Sequence, residues 1–270
     1  MKDDIIKQKK VIEVYGKIAL VGSSSEGCCA PGECCSGSSS GSSNGSQTMM
    51  SPLQIAESIG YNANDLKSIP ESSILGVGCG APVNFANIQE GEIVIDIGSG
   101  GGIDVFLSAN KVKQSGKVIG IDMTDEMLEK AAIHAKQNGY TNVEFKKGDI
   151  EEGIPINDNA ADVIISNCVV NLTTDKTAAF KEIYRILKTN GGRMVISDLV
   201  TSKEVSPESA DSDKWCSCID GALTKEHYLD CIRKAGFSDI EVLEERLYRD
   251  GGDNIEGRRI TSLVIMAVKN

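Results

Sequence analysis

EIVIDIGSGGG, residues 92–102, decides the fold. Its first half, Ile93-Val94-Ile95-Asp96-Ile97, is a β-branched run that stops at Gly98, the pattern of a buried strand. The glycines that follow let the backbone turn sharply and approach a ligand with no Cβ in the way. Residues 103–113 then read as a helix, whose N-terminus offers unpaired N–H groups to the anionic end of a ligand.

Working outward, KVIGID (117–122) is a second strand that ends in Asp122. Thr124 caps a helix running to about Gln137, with Asp125 and Glu126 in the first turn, where carboxylates suit the helix dipole. Asn138-Gly139 ends it. NVEFKKGD (142–149) is a third strand ending in Asp149, and ADVIISN (161–167) a fourth. A helix over 175–188 stops at Asn190-Gly191-Gly192. RMVISDL (193–199) is a fifth strand, a helix spans Thr224 to Ala235, and late strands fall near 239–246 and 260–268. Strand and helix alternate, and the strands are nearly continuous apolar runs. That pattern predicts an α/β, Rossmann-like sheet with helices on both faces. Ligands of such sheets bind at the carboxyl ends of the strands, near the switch in strand order. The glycine loop, Asp122 and Asp149 all fall there. A carboxylate at the second strand end can accept from ribose hydroxyls, and one at the third from an adenine amino group.

Composition narrows the partners. The 270 residues are 40% hydrophobic and 25% charged, as in an ordinary globular protein. The formal charge of -11 is the wrong sign for neutralising phosphates, so neither nucleic acid nor an anionic membrane surface is expected as partner. No segment approaches the run of about 18 apolar residues that spans a membrane. The N-terminus does not read as a signal peptide, which places the chain in the cytoplasm. Residues 1–22 carry apolar positions at helical spacing and form an N-terminal helix. Residues 23–50 hold CCAPGECC (28–35) and a Ser/Gly run that cannot bury apolar surface. Residues 51–200 form the core, and 201–270 a C-terminal substrate-binding region with the final strands.

Nine cysteines in a reducing compartment point to metal, redox or catalytic roles more than to disulfides. The two histidines, His134 and His227, are too few for a histidine-built site. Cys79 lies in GVGCGAP before the first strand, Cys168 in SNCVVNL after the fourth, and Cys218 in CSCIDGAL after the fifth. All three fall in loops that can reach the rim bearing the glycine loop. A free cysteine is often simply a small buried hydrophobe. Gathered together, three thiolates suit a soft centre such as trivalent arsenic, which forms three bonds and keeps a lone pair. Zinc is the alternative, with Cys216 as fourth ligand. Cys231 reads as core, and Trp215 either walls a substrate pocket or is a core indole.

The acid-x-Gly-x-Gly loop resembles the S-adenosylmethionine loop of class I methyltransferases, over about residues 90–200. IGYNANDLKSIPESSILGVGCGAP, DIGSGGGIDVFLSANKV, VIGIDMTDEMLEKA, GYTNVEF, DVIISNCVVNLTTDK and CIDGAL together resemble the arsenite S-adenosylmethionine methyltransferase family, over about residues 58–225. The resemblance implies a seven-stranded class I sheet with S-adenosylmethionine as cofactor. It implies that Asp96, Gly98, Ser99 and Gly100 contact the methionine moiety, that Asp122 holds the ribose and that Asp149 reads adenine. Met123, Ile150 and Asn167 complete the cofactor set. Cys79, Cys168 and Cys218 become the catalytic ligands of As(III). The family often carries an N-terminal cysteine that pairs with the first of these, for which Cys28, Cys29, Cys34 and Cys35 are the candidates, as redox or accessory thiols. The small-molecule substrate is arsenite or a thiolated arsenic, methylated for detoxification, with a thiol reductant of glutathione or thioredoxin type. The rival readings are a class I methyltransferase acting on an organic small molecule, with structural cysteines, and a non-enzymatic binder of soft metals.

Overall fold

A computed structural model describes residues 2–21, 50–206, 209–252 and 255–270. The CCAPGECC cluster, with Cys28, Cys29, Cys34 and Cys35, and the Ser/Gly run lie outside the described residues.

Seven strands form one sheet: β1 (Ile93–Ile97), β2 (Lys117–Asp122), β3 (Val143–Lys147), β4 (Val163–Asn167), β5 (Gly192–Thr201), β6 (Asp239–Asp250) and β7 (Arg259–Lys269). Their order is β3-β2-β1-β4-β5-β7-β6. The first five are parallel, and β7 inserts antiparallel between β5 and β6. Eight α-helices complete the described fold: α1 (Lys2–Val21), α2 (Pro52–Ser58), α3 (Ala63–Leu66), α4 (Ile103–Val112), α5 (Asp125–Gln137), α6 (Lys176–Ile186), α7 (Ser212–Cys216) and α8 (Lys225–Lys234).

The strands are apolar throughout because both faces are covered. Successive residues point to opposite faces. In β4, Val163 and Ile165 enter the core on the α4 side, whereas Ile164 enters the core under α6 and α8. In β1, Val94 and Ile95 divide in the same way. Phe106 on one side and Phe180 and Tyr228 on the other are fully buried. Cys231 packs in the α6–α8 core, as its helical position predicts.

The chain enters the sheet at β1 and leaves in two directions, to β2 and β3 on one side and to β4 and β5 on the other. This reversal opens a crevice beyond the carboxyl ends of β1 and β4. Helix α1 lies over that crevice. It buries Val11, Val14 and Ile18 against Leu75, Met127 and Trp215 in a cluster separate from the two sheet cores. The expected strands match the observed ones to within a few residues. The largest difference is β6, which runs on to Asp250 through two register shifts.

Candidate active site

The glycine loop is built by backbone hydrogen bonds to the next strand. The N–H groups of Gly98 and Ser99 both donate to the Ile121 carbonyl, at 2.8 and 2.9 Å. Gly98 and Gly102 have φ of 72° and 96°, which a β-carbon disfavours. At Gly98 a Cβ would also come within 2.1 Å of Val169. Asp122 anchors the loop, its carboxylate accepting from the N–H of Gly100 and of Thr124, each at 2.9 Å. Burial raises its pKa, and those two N–H groups oppose the rise. The two bonds leave part of the carboxylate's acceptor capacity open.

The cleft above the loop has about 130 Å³ of open space. Asp96, Gly98, Ser99, Gly100, Asp122, Met123, Asp149, Ile150 and Asn167 all line it. So do Asp104, Thr124 and, from α1, Gln8, Val11 and Tyr15, none of which the sequence singled out as ligands. Neither histidine lines it. Three carboxylates lie together at its floor. Burial holds Asp96 well above the usual carboxylate range, reinforced by Asp104 and Asp122. Burial also pushes Asp104 up to about 7, against the hydrogen bond from Tyr61. That bond runs from the Tyr61 hydroxyl to Asp104 Oδ2 at 2.7 Å. Asp104 Oδ1 and Ser99 Oγ are buried without a protein partner. A loop stripped of side chains, orphaned buried oxygens and buried acids fit a ligand with an ammonium group and a ribose, as S-adenosylmethionine has.

Asn167 ties this cleft to the first thiol. Its Oδ1 accepts from the Cys79 N–H at 3.0 Å, and its Nδ2 donates to the Gly80 carbonyl at 2.6 Å and to the Tyr61 hydroxyl at 3.1 Å. Its side chain therefore positions the Cys79 loop. The Cys79 carbonyl accepts from Ser262 Oγ and from Arg246 Nη2, at 2.7 and 3.0 Å. Glycine flanks Cys79 because there is no room for more: a Cβ at Gly80 would fall 2.1 Å from Ser197 Oγ.

Cys79 and Cys218 are buried in one cluster with Leu199 and Ile260, and the half-buried Cys168 packs against it. The Cys218 thiol donates to the Cys168 carbonyl at 3.1 Å, and Cys79 Sγ lies 3.5 Å from Ser197 Oγ. Cys168 also lines the cleft, so the thiol cluster and the cleft share a wall. Both Cys168 and Cys218 sit in the left-handed region, with φ of 59° and 64°. For residues with a Cβ this costs on the order of 1 kcal/mol or more each, a strain typical of functional loops. Burial raises the Cys168 thiol well above the ordinary range, helped by its thiol neighbours. At Cys218 the bond with Cys168 lowers the pKa, but burial and the nearby Asp198 and Cys79 charges leave it raised.

Asp198, which the sequence did not mark, stands within 4.8 Å of the Cys79 and Cys168 sulfurs. It accepts from the Asn171 and Leu199 N–H groups and from the Tyr228 hydroxyl, each at 3.0 Å. Its pKa is pushed up to about 6 by burial, with Lys176 opposing. Cys216 packs instead with Trp215 against α1. Among the described residues, the group with metal-ligand spacing is Cys79, Cys168 and Asp198, without Cys216 and without Cys218, whose thiol is turned to the Cys168 carbonyl. Trp215 is buried, and its Nε1 donates to the Leu172 carbonyl at 3.1 Å, beside the Cys168 loop.

The sheet order with its antiparallel β7 is that of a class I methyltransferase, and the sequence profile of the methyltransferase-domain family matches residues 88–236. The chain belongs to that family. Within it, the chain is similar to arsenite methyltransferases. That of Halobacterium salinarum is 42% identical over 188 residues, 69% of this chain and 48% of the relative. That of Mus musculus is 33% identical over 210 residues, 73% of this chain and 54% of the relative. The chain thus spans about half the length of the curated relatives it matches. A solved arsenic(III) S-adenosylmethionine methyltransferase of Chlamydomonas reinhardtii superposes with a TM-score of 0.62 at 29% identity, over 81% of this chain and 74% of that one. No helix among the described residues is long and apolar enough to cross a membrane.

Proposed function

We propose that this chain transfers methyl groups from S-adenosylmethionine to trivalent arsenic held by Cys79, Cys168 and Cys218, in arsenic detoxification. The observation that carries the reading is a cluster of three thiols from loops remote in sequence, one of which also walls the cofactor-type cleft. The similarity to arsenite methyltransferases supports the same chemistry.

The raised thiol pKa values suit this substrate. Arsenite carries three hydroxyls. Each thiol that bonds to arsenic sends its proton out with one hydroxyl as water, so three S–As bonds form with no net charge left in the buried site. A site built for a preformed trianion would incur a large desolvation cost. The bound arsenic keeps its lone pair, which is the nucleophile. S-adenosylmethionine supplies the electrophile, a methyl group on a sulfonium. Asp96 and Asp104 hold the α-ammonium group of the cofactor, Asp122 with Met123 the ribose, and Asp149 with Ile150 the adenine. The protein's main contribution is alignment, since holding two reactants in register contributes about 7–11 kcal/mol in favourable cases. No strong general base is needed at the transfer, which agrees with a cleft lined by neither histidine. Transfer oxidises arsenic to a pentavalent product. A thiol reductant of glutathione or thioredoxin type returns it to the trivalent state, with Cys28, Cys29, Cys34 or Cys35 as accessory thiols, in the cytoplasm.

The test measures S-adenosylhomocysteine formed with and without arsenite, with arsenic speciation of the product. Arsenite-dependent release together with methylated arsenic supports the reading. Release indifferent to arsenite replaces it with an organic substrate, and tight metalloid binding without turnover replaces it with a soft-metal binder.

A further inference from the structure

Helix α1 reaches the cleft with a polar side chain that nothing above has used. Gln8 Nε2 donates to Asp149 Oδ2 at 3.1 Å, across 141 residues of sequence. The other carboxylate oxygen, Oδ1, accepts from the Glu151 N–H at 2.9 Å. Asp149 is thus held on both oxygens, by its own loop and by α1. A carboxylate offers about four lone-pair sites, so two remain for a ligand. A carboxylate free to rotate about χ2 presents those sites in a broad fan of directions, and one gripped on both oxygens presents them in a single plane.

Gln8 is brought there by the apolar face of the same helix. Val11, Val14 and Ile18, at helical spacing, seat α1 on Leu75 and Met127, and Met123 packs against the same cluster. Met123 and Met127 belong to the cleft wall. The same helix is tied to α7: the Tyr15 hydroxyl donates to the Cys216 carbonyl at 3.2 Å, and Lys7 Nζ stands 4.1 Å from the centre of the Trp215 ring.

We propose that Gln8 is a positioning residue for the nucleobase of S-adenosylmethionine, acting through Asp149, and that docking of α1 delivers it. The inference rests on the cofactor reading of the cleft above. Asp149 recognises adenine through the exocyclic amino group, a donor. Hypoxanthine has a carbonyl oxygen at that position, which a fixed carboxylate repels. Gln8 therefore governs how strongly the protein prefers adenine to hypoxanthine.

The test uses the full chain and calorimetric binding of S-adenosylhomocysteine and of its hypoxanthine counterpart. Trp215 is the sole tryptophan, so its emission reports directly whether α1 is docked. Gln8→Ala and the isosteric Gln8→Glu, which loses the donor, are compared with wild type and with Asp149→Ala. In both Gln8 variants the adenine ligand binds roughly fivefold to tenfold more weakly, the scale of one ordinary intramolecular hydrogen bond. The preference for adenine over hypoxanthine shrinks by a similar factor, the KM for cofactor rises and kcat holds. Asp149→Ala abolishes the preference altogether. The proposal is overturned if either Gln8 variant retains the wild-type preference with unchanged Trp215 emission. It is also overturned if both ligands weaken equally, or if a loss of binding appears only together with undocking of α1. Wild-type protein that binds neither ligand fails the cofactor reading itself, a result distinct from all of these.

Discussion

Replacing Gly80 by alanine tests the thiol site through a single methyl group. Gly80 is buried beside Cys79, and its backbone lies outside the left-handed region, so alanine meets no conformational barrier. The obstacle is steric: the new Cβ falls 2.1 Å from Ser197 Oγ and 3.0 Å from Ser197 Cβ. The Ser197 backbone cannot retreat, because its strand is paired on both sides, with Asn167 and with Val264, and turning Oγ aside would still leave its Cβ at 3.0 Å. The Cys79 loop must therefore move by about 1 Å, breaking the Cys79 Sγ–Ser197 Oγ contact and loosening the Asn167 bonds. A misplacement of about 1 Å at a reacting centre costs roughly a hundredfold. Overpacking of this size costs about 1–3 kcal/mol of stability. In Gly80→Ala, kcat/KM for arsenite falls about a hundredfold. The dissociation constant of S-adenosylhomocysteine rises far less, by about a few-fold, because the glycine loop and Asp122 are untouched and only the Asn167 bonds are loosened. Removing the opposing side chain in Gly80→Ala/Ser197→Gly recovers most of both losses. The reasoning fails if Gly80→Ala methylates arsenite at the wild-type rate. It fails equally if the double variant melts normally yet stays as slow as the single one.

Three further outcomes follow from the same geometry. Cys168→Ser loses arsenite-dependent turnover by about a hundredfold or more, since a hard oxygen does not replace a soft thiolate, while calorimetric cofactor binding persists. Asp104, raised to about 7 in the fold, contributes stability that is present below its ordinary carboxylate pKa and lost as pH rises through about 7. A cationic cofactor favours the ionised form, so its affinity measured by calorimetry tightens about eightfold between pH 6 and 7.5. Tyr61→Phe removes the donor on Asp104 and moves that midpoint upward, and a flat profile in wild type rejects the assignment. Arg258→Met strands the buried Asp220 carboxylate, whose other oxygen accepts from the Asp211 N–H. Denaturant unfolding should show a loss of about 3–5 kcal/mol, the usual cost of an orphaned buried charge.

The sheet was legible because its signals are local and repeated. In β1, β2 and β4 the apolar runs are continuous, since helices cover both faces, and Asn138-Gly139 ends α5. β6 was the hardest strand to bound. It lies at the sheet edge, half its residues meet water, and two register shifts interrupt its pairing, so neither alternation nor a solid apolar run marks its end. The order of the strands, with β7 between β5 and β6, came with the resemblance and not from any residue pattern in the strands themselves.

The site was legible where position along a strand determines role, and illegible where role comes from a partner across the fold. Asp96, Asp122 and Asp149 announce themselves as acids at or near the ends of successive parallel strands. Asp104, Asp198, Tyr61 and Gln8 carry no such mark: each is an ordinary residue of a helix, strand or loop until its partner arrives from 27 to 141 residues away. The cysteines lie between these cases. Their loops could be located from the sequence, but the strained backbone at Cys168 and Cys218 could not, because nothing in SNCVVNL or CSCIDGAL announces a positive φ. That strain bears on how the site works. Cys168 joins the two halves of the site through that strained turn: its carbonyl accepts from the Cys218 thiol at 3.1 Å, it packs against the cluster of Cys79, Leu199 and Ile260, and it also lines the cleft.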